Sequence, residues 1–171
     1  MTFKITYCPA IFKGEISLYV PPGREKSGYV AIKSVNDKTL TSQLDPEFFT
    51  ALEIKVKTVQ FSSQNSKSNF KDGRLYVLNA TTESENRGEI WQSIIKAPEN
   101  EWTTVTLPLV NFITTWRGHI DTAAANIVPN RIQSLGILQA QRLDGPFHFE
   151  IEYIKALSLE AKKTSKRYKL Y

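Results

Sequence analysis

Few side chains in this sequence could do acid–base or nucleophilic chemistry. The histidines are His119 and His148, and the single cysteine is Cys8. A serine or cysteine nucleophile needs a histidine oriented by a third group, and no G-x-S-x-G turn is present. His148 falls on the polar face of an alternating segment, which favours an ordinary strand residue, whereas His119 follows Arg117 and Gly118 in a predicted loop. The sequence predicts no catalytic residue.

Two carboxylates are spaced for a different chemistry. Glu150 and Glu152 lie two positions apart, which on one strand face separates their side chains by about 7 Å, a distance compatible with acid–base work on a sugar. Such a pair is more often the solvated face of a sheet, and we favour that interpretation. No C-x-x-C, H-E-x-x-H or glycine-rich phosphate loop occurs, so we predict no metal ligand and no cofactor, with a structural calcium on loop oxygens as the open alternative.

Aromatic side chains offer a third kind of site. Tyr19, Tyr29, Tyr76 and Trp116 could form one face that stacks on a ligand, although core packing or scattered exposure is favoured. For Arg117 one hypothesis is a docking contact stacked on Trp116. The favoured alternative is that Arg117 ties its loop to backbone carbonyls while Gly118 takes a positive φ.

The elements that would position these residues are strands, because apolar and polar residues alternate along most of the chain. The pattern predicts inward-facing sets in seven segments: Ile16, Leu18 and Val20; Leu52, Ile54 and Val56; Leu75 and Val77; Trp91 and Ile95; Val105, Leu107 and Leu109; the segment "IQSLGIL"; and Phe147, Phe149, Ile151 and Tyr153. "GYVAIKS" adds a further strand. Helix is expected only as a turn or two near Val110–Thr115 and Thr122–Asn126.

Turn-forming clusters separate these strands, among them "PPGREKSG", "SSQNSKSNFKDG" and "LDGP". Many short antiparallel strands, each with one polar face, predict an all-β fold of two packed sheets, a jelly-roll sandwich. The length of 171 residues fits one domain. We place that domain at residues 1–159 and a basic tail at 160–171.

Charge is concentrated in that tail. The net charge is +5, but residues 160–171 hold five Lys/Arg and one Glu, which leaves 17 basic and 16 acidic residues elsewhere. The tail could contact anionic lipid, RNA or an acidic partner, but a solvated end is the favoured interpretation, and no nucleic-acid motif is present. No apolar run approaches the roughly 20 residues of a membrane span. Neither a signal peptide nor an Arg-rich presequence is visible at the start of the chain.

The C-terminal half resembles the CIA30 family of complex I intermediate-associated proteins, also called complex I assembly factor 1. The matching motifs run in order: a W-x-x-V-x-L-P strand (Trp102–Pro108), a phenylalanine at Phe112, a T-x-R-G loop (Thr115, Arg117 and Gly118), "IQSLGI" (Ile132–Ile137) and "GPFHFEI" (Gly145–Ile151). The N-terminal half agrees more loosely from Phe12 onward, so the resemblance covers about residues 12–157.

This resemblance implies a galactose-binding-domain-like jelly roll and a non-enzymatic role. Its expected partners are respiratory complex I subunits or other assembly factors, its location the mitochondrion with the cytoplasm as the alternative, and its state a monomer with peripheral contact to the inner membrane. The candidate docking surface is Trp116, Arg117 and His119. The competing hypothesis is a carbohydrate-binding module of the same sandwich architecture, because a fold does not fix a function.

Overall fold

The strands follow the alternating segments of the sequence. The computed structural model describes residues 9–23, 29–35, 41, 44–45, 47–59, 74–83, 89–116, 119–122, 126–139, 141 and 143–158. In these ranges ten strands occur: β1 (Ala10–Ile16), β2 (Val30–Lys33), β3 (Ala51–Thr58), β4 (Tyr76–Thr82), β5 (Glu89–Ile95), β6 (Thr103–Pro108), β7 (Ile113–Trp116), β8 (His119–Ile120), β9 (Ile132–Gln139) and β10 (Gly145–Leu157). Single 3-10 turns lie at Leu109–Asn111 and Pro129–Arg131.

The described strands form two antiparallel sheets. One has four strands in the order β1-β10-β3-β6, and the other has six in the order β2-β9-β4-β5-β7-β8. The chain crosses repeatedly between the two, since β1, β3, β6 and β10 belong to the first sheet and the strands between them to the second. The predicted fold class, an all-β two-sheet jelly-roll sandwich, is confirmed.

The core lies between the sheets and comes from the alternating positions of the strands. Leu52, Ile54 and Val56 of β3 and Trp91 and Ile95 of β5 are buried, as predicted. Leu107 and Leu109 are also buried, and Val105 packs against the core from a half-buried position. Burial of these side chains provides most of the driving force for holding the layers together.

Two predicted faces are wrong. On β4 the buried residues are Tyr76, Leu78 and Ala80, whereas Leu75 is exposed and Val77 faces outward. The first strand begins earlier than expected and ends at Ile16, so Leu18 and Val20 lie beyond it. Phe12 and Ile16 are its buried residues.

A β-bulge changes the inward face of β10. Phe147 and Phe149 are fully buried, as expected, but the register with β3 shifts between Ile151 and Tyr153. One extra residue in a strand reverses which side chains point inward. Beyond the bulge, Ile154 and Ala156 pack against the core. The prediction that Tyr153 faces inward is wrong, because its hydroxyl reaches Glu53 on the outer face.

The expected helical turns are partly replaced by strand. A 3-10 turn covers Leu109–Asn111, and Ile113–Trp116 is β7 rather than helix. Residues 123–125 of the second expected turn lie outside the described residues. So do Cys8 and the tail at 160–171.

Candidate functional site

The structure places Trp116 and His119 side by side at one edge of the six-stranded sheet. The two residues are direct cross-strand partners in the β7–β8 hairpin, and Trp116 also pairs with Glu89 on β5. The backbone N–H of Asp121 donates to the carbonyl of Thr114 at 2.9 Å, which extends the hairpin. Arg117, the third member of the predicted docking surface, and Gly118 lie outside the described residues.

Exposed apolar side chains surround this hairpin. Trp116 is 43% exposed, and on the same two strands Ile113 is 51% and Ile120 66% exposed. Successive residues of a strand project to opposite faces, so Ile113 and Ile120 lie on the outer face of this edge and Trp116 and His119 on the other. Exposed aromatic and aliphatic side chains at a sheet edge are found where proteins bind other proteins. The chemistry available here is apolar contact, with hydrogen bonding from the indole and the exposed imidazole.

Phe112 anchors the base of the hairpin. Its side chain is buried in the core, and its N–H donates to the carbonyl of Leu109 at 3.1 Å, which closes the 3-10 turn. The N–H of Leu109 in turn donates to the carbonyl of Thr50 at 2.9 Å. These contacts fix the point at which the chain passes from β6 in one sheet to β7 in the other.

The two histidines are not brought together. His119 lies on β8 of the six-stranded sheet and His148 on β10 of the four-stranded sheet. The Nε2 atom of His148 lies 2.9 Å from a carboxylate oxygen of Glu150, on the same strand. The pair of His148 and Glu150 includes no serine or cysteine nucleophile.

The paired carboxylates Glu150 and Glu152 lie at the bulge of β10. The bulge of β10 separates Glu150 from Glu152 in register, and each has its own partner. Glu150 contacts His148, and a carboxylate oxygen of Glu152 lies 2.6 Å from the Nζ of Lys55. In the part of the chain that the structure describes, no three His, Cys, Asp or Glu side chains cluster closely enough to hold a metal ion.

The four aromatic residues considered as a ligand-stacking face do not share one. Tyr76 is buried in the core, so it is not available to an external ligand. Tyr29 precedes β2 and Trp116 ends β7, with three strands between them in the sheet order. At about 4.8 Å per strand this separates them by roughly 19 Å. The hypothesis of one stacking face is wrong.

Sequence reasoning missed an arginine that organises the loop before β10. The guanidinium of Arg74 donates to three backbone carbonyls, those of Leu143, Asp144 and Pro146, each at 2.9 Å. The N–H of Leu75 donates to the side-chain oxygen of Gln141 at 2.9 Å, next to this cluster. The expectation that Arg117 ties its own loop stays a prediction, because Arg117 lies outside the described residues.

A second unpredicted cluster lies on the outer face of the four-stranded sheet. One carboxylate oxygen of Glu53 lies 2.7 Å from the Nζ of Lys155 and accepts a hydrogen bond of 2.9 Å from the hydroxyl of Tyr153. The hydrogen bond with Lys155 lowers the pKa of Glu53, and the same contact raises the pKa of Lys155. Lys55 also lies 5.9 Å from the ring centre of Trp102. The outer face of the four-stranded sheet therefore carries several ion pairs.

No helix in the described part of the chain is long and apolar enough to cross a bilayer. This finding concerns helices alone.

Comparison with solved structures finds carbohydrate-binding modules. A family 11 module from Clostridium thermocellum, in complex with a beta-1,3-1,4-mixed-linked tetrasaccharide, has a TM-score of 0.48 and 13% identity over 88% of this chain and 84% of that chain. The family 11 module of the cellulosomal cellulase Lic26A-Cel5E of Clostridium thermocellum has a TM-score of 0.47 and 16% identity over 92% and 91%. No curated protein sequence matches the chain.

The family comparison covers most of the sequence. The family model described as Complex I intermediate-associated protein 30 matches residues 2–151, a range that includes β1 to β9 and the first half of β10. The motifs that carried the resemblance, from Trp102 to Ile151, all fall inside it. The chain therefore belongs to the CIA30 family.

Proposed function

We propose that this protein is a non-enzymatic assembly factor that binds intermediates of mitochondrial respiratory complex I. The observation that carries the proposal is the family match over residues 2–151. The exposed aromatic and aliphatic side chains of the β7–β8 hairpin support a binding role. The partners would be complex I subunits or other assembly factors, and the site of action the mitochondrion.

Within this proposal the β7–β8 hairpin is the docking surface. Trp116 and His119 lie next to each other on it, and Arg117 joins them in sequence. Removing the indole should weaken partner binding, because exposed tryptophans are enriched among the residues that dominate binding energy. The fold should survive, because the ring is 43% exposed.

The test is deletion of the gene followed by native gels of the respiratory complexes. We expect loss of mature complex I, accumulation of its intermediates, and comigration of the tagged protein with those intermediates. Normal complex I in the deletion strain would refute the proposed function.

The hairpin is tested by re-expressing variants in the same strain. Trp116→Ala should fail to restore assembly while its melting temperature stays close to that of the wild type. Trp102→Ala is the matched control, because Trp102 is 38% exposed and lies beside β6 of the other sheet. Equal rescue by both variants would remove the hairpin from the proposal.

A further inference from the structure

Among the described strand residues, the outer face of the six-stranded sheet carries one charged side chain, Lys33 at the β2 edge. Cross-strand register places one row of side chains on it, from Ala31 through Leu138 and Val77 to Ile94. A second row runs through Asn79, Gln92 and Ile113. Ile90, Thr115 and Ile120 lie in a third. We call these ten residues the neutral face.

These side chains point away from the core because their neighbours along each strand are buried. Leu78 and Ala80 flank Asn79, and Trp91 lies between Ile90 and Gln92. Successive residues of a strand project to opposite faces. None of the ten residues is acidic or basic, and Lys33, at the β2 edge, is the nearest cation in their rows.

Each polar side chain on the neutral face makes one hydrogen bond within it. The side-chain nitrogen of Gln92 donates to the side-chain oxygen of Asn79 at 3.0 Å, and the hydroxyl of Thr115 donates to the carbonyl of Ile90 at 3.3 Å. Burying an unpaired amide or hydroxyl would cost free energy, whereas paired groups can be covered more cheaply. The face is thus suited to losing its water.

The opposite sheet differs. Its outer face carries Glu53, Lys55, Glu150, Glu152 and Lys155, most of them in ion pairs. If the outer faces of the two sheets only had to be soluble, both could carry charges. The contrast indicates that the six-stranded sheet is the one that meets a partner.

We propose that the neutral face binds an uncharged, aliphatic segment of another polypeptide. A charged segment would lose hydration there without gaining a counter-charge. A sugar would lack an aromatic platform, since the apolar residues of the face are Ala, Val, Leu and Ile. An anionic membrane would find little attraction with Lys33 as the nearest cation.

The size of the face argues against a second copy as its occupant. The ten positions are spread over six strands and, at roughly 4.8 Å between strands and roughly 7 Å between rows, they cover at most about 400 Å². Two copies would then bury about 800 Å² in total, less than the roughly 1,200 Å² of a stable interface. The neutral face includes Ile113, Thr115 and Ile120 of the β7–β8 hairpin, so the inference deepens the proposed function and rests on it for the partner's identity.

The test uses a fluorescein-labelled synthetic peptide with one uncharged face of leucine and valine, and a second version with glutamates on that face. Fluorescence anisotropy with the full chain should show binding of the neutral peptide, at least about tenfold weaker binding of the acidic version, and little dependence on salt. Ile113→Glu should weaken binding of the neutral peptide by about tenfold or more. Thr104→Glu, on the outer face of β6, is the matched control and should leave it unchanged.

Folding is monitored by thermal unfolding, and Ile94→Thr serves as a milder variant that keeps a β-branched side chain. Equal binding of both peptides, or equal loss with Thr104→Glu, would overturn the inference. A dimer in sedimentation that Ile113→Glu dissociates would assign the face to a second copy. Binding to phosphatidylcholine vesicles that Ile113→Glu abolishes would assign it to lipid, and either result would overturn the inference. Peptide binding uses no respiratory complex, so it can succeed even if complex I assembles normally without the gene.

Discussion

The ring of Tyr76 on β4 lies stacked on the ring of Phe149 on β10, with 4.2 Å between centroids and 26° between planes. The two strands belong to different sheets, so this pair joins the layers through the middle of the core. Burial raises the pKa of Tyr76 to about 12, against smaller opposing effects from the charge of Arg74 and a backbone hydrogen bond with His148.

The raised pKa predicts a loss of stability in alkali. The unfolded chain ionises this tyrosine near pH 10, so between pH 10 and about 12 the folded state holds a proton that the unfolded state has released. Stability must fall as pH rises through that window, by roughly 1–3 kcal/mol. Urea unfolding at a series of pH values measures the change. In Tyr76→Phe the slope should be shallower, and an unchanged slope would show that another group titrates.

The face of β4 could not have been predicted from alternation. In "RLYVLNA" both sets are largely apolar, Leu75 with Val77 on one side and Tyr76 with Leu78 on the other. Alternation identifies the inner face only when the outer face is polar. On β4 the outer face belongs to the neutral face, which removes that contrast.

The bulge in β10 also could not be predicted from the sequence. Phe147, Phe149, Ile151 and Tyr153 continue an unbroken period of two, and nothing in that pattern marks an extra residue. The register with β3 decides it, and that register depends on pairing with a strand about a hundred residues earlier. By contrast, the inner face of β3 was predicted correctly, because its outer positions, Glu53, Lys55 and Lys57, are charged.

The candidate functional site shows the same difference between local contacts, which the sequence predicts, and long-range contacts, which it does not. The proximity of Trp116 and His119 follows from their separation by a short loop, so local sequence was enough. Arg74 binds carbonyls about seventy residues later, and no local spacing indicates such a contact.

Arg74 should be important for stability. Arg74→Lys keeps the charge but cannot supply three donors in a planar fork, so we expect a loss of roughly 1–3 kcal/mol. Thermal and urea unfolding measure it. Lys57→Arg, a swap in the opposite direction on the exposed side of β3, serves as the control and should change little. An Arg74→Lys protein as stable as the wild type would mean that the loop holds its shape without the guanidinium.

Gly136 is the glycine in "IQSLGIL", and the closeness of the next strand explains why a side chain does not fit there. A Cβ atom at this position would lie 2.6 Å from the backbone carbonyl oxygen of Ile32 on the neighbouring strand β2. Because backbone cannot move aside as a side chain can, Gly136→Ala should push β2 away from β9 and cost roughly 1–3 kcal/mol. Faster hydrogen exchange of the β2 amides would report the separation.

Gly14→Ala provides the comparison. Its nearest obstacle is the ring of Phe147, at 2.8 Å, which is a side chain and can shift. We expect a smaller loss of stability than for Gly136→Ala, with β2 protection unchanged. The reverse order would show that β2 is held to β9 more loosely than the geometry indicates.

The ion pair of Glu53 with Lys155 should contribute to stability only at intermediate pH, where both groups are charged. Because the pKa of Glu53 is lowered from 4.5, its contribution is present above that value and is lost as pH falls through the lower folded value. Because the pKa of Lys155 is raised from 10.5, its contribution is complete below 10.5 and is lost as pH rises beyond it. Glu53→Gln should therefore lower the melting temperature near neutral pH by roughly 1–3 °C, as expected of a half-buried pair at the surface, and match the wild type in acid. Glu101→Gln, which removes an exposed carboxylate just before β6, should differ little from the wild type across the series. A Glu53→Gln deficit that persisted below the pKa of the carboxyl would point to lost packing instead of lost charge.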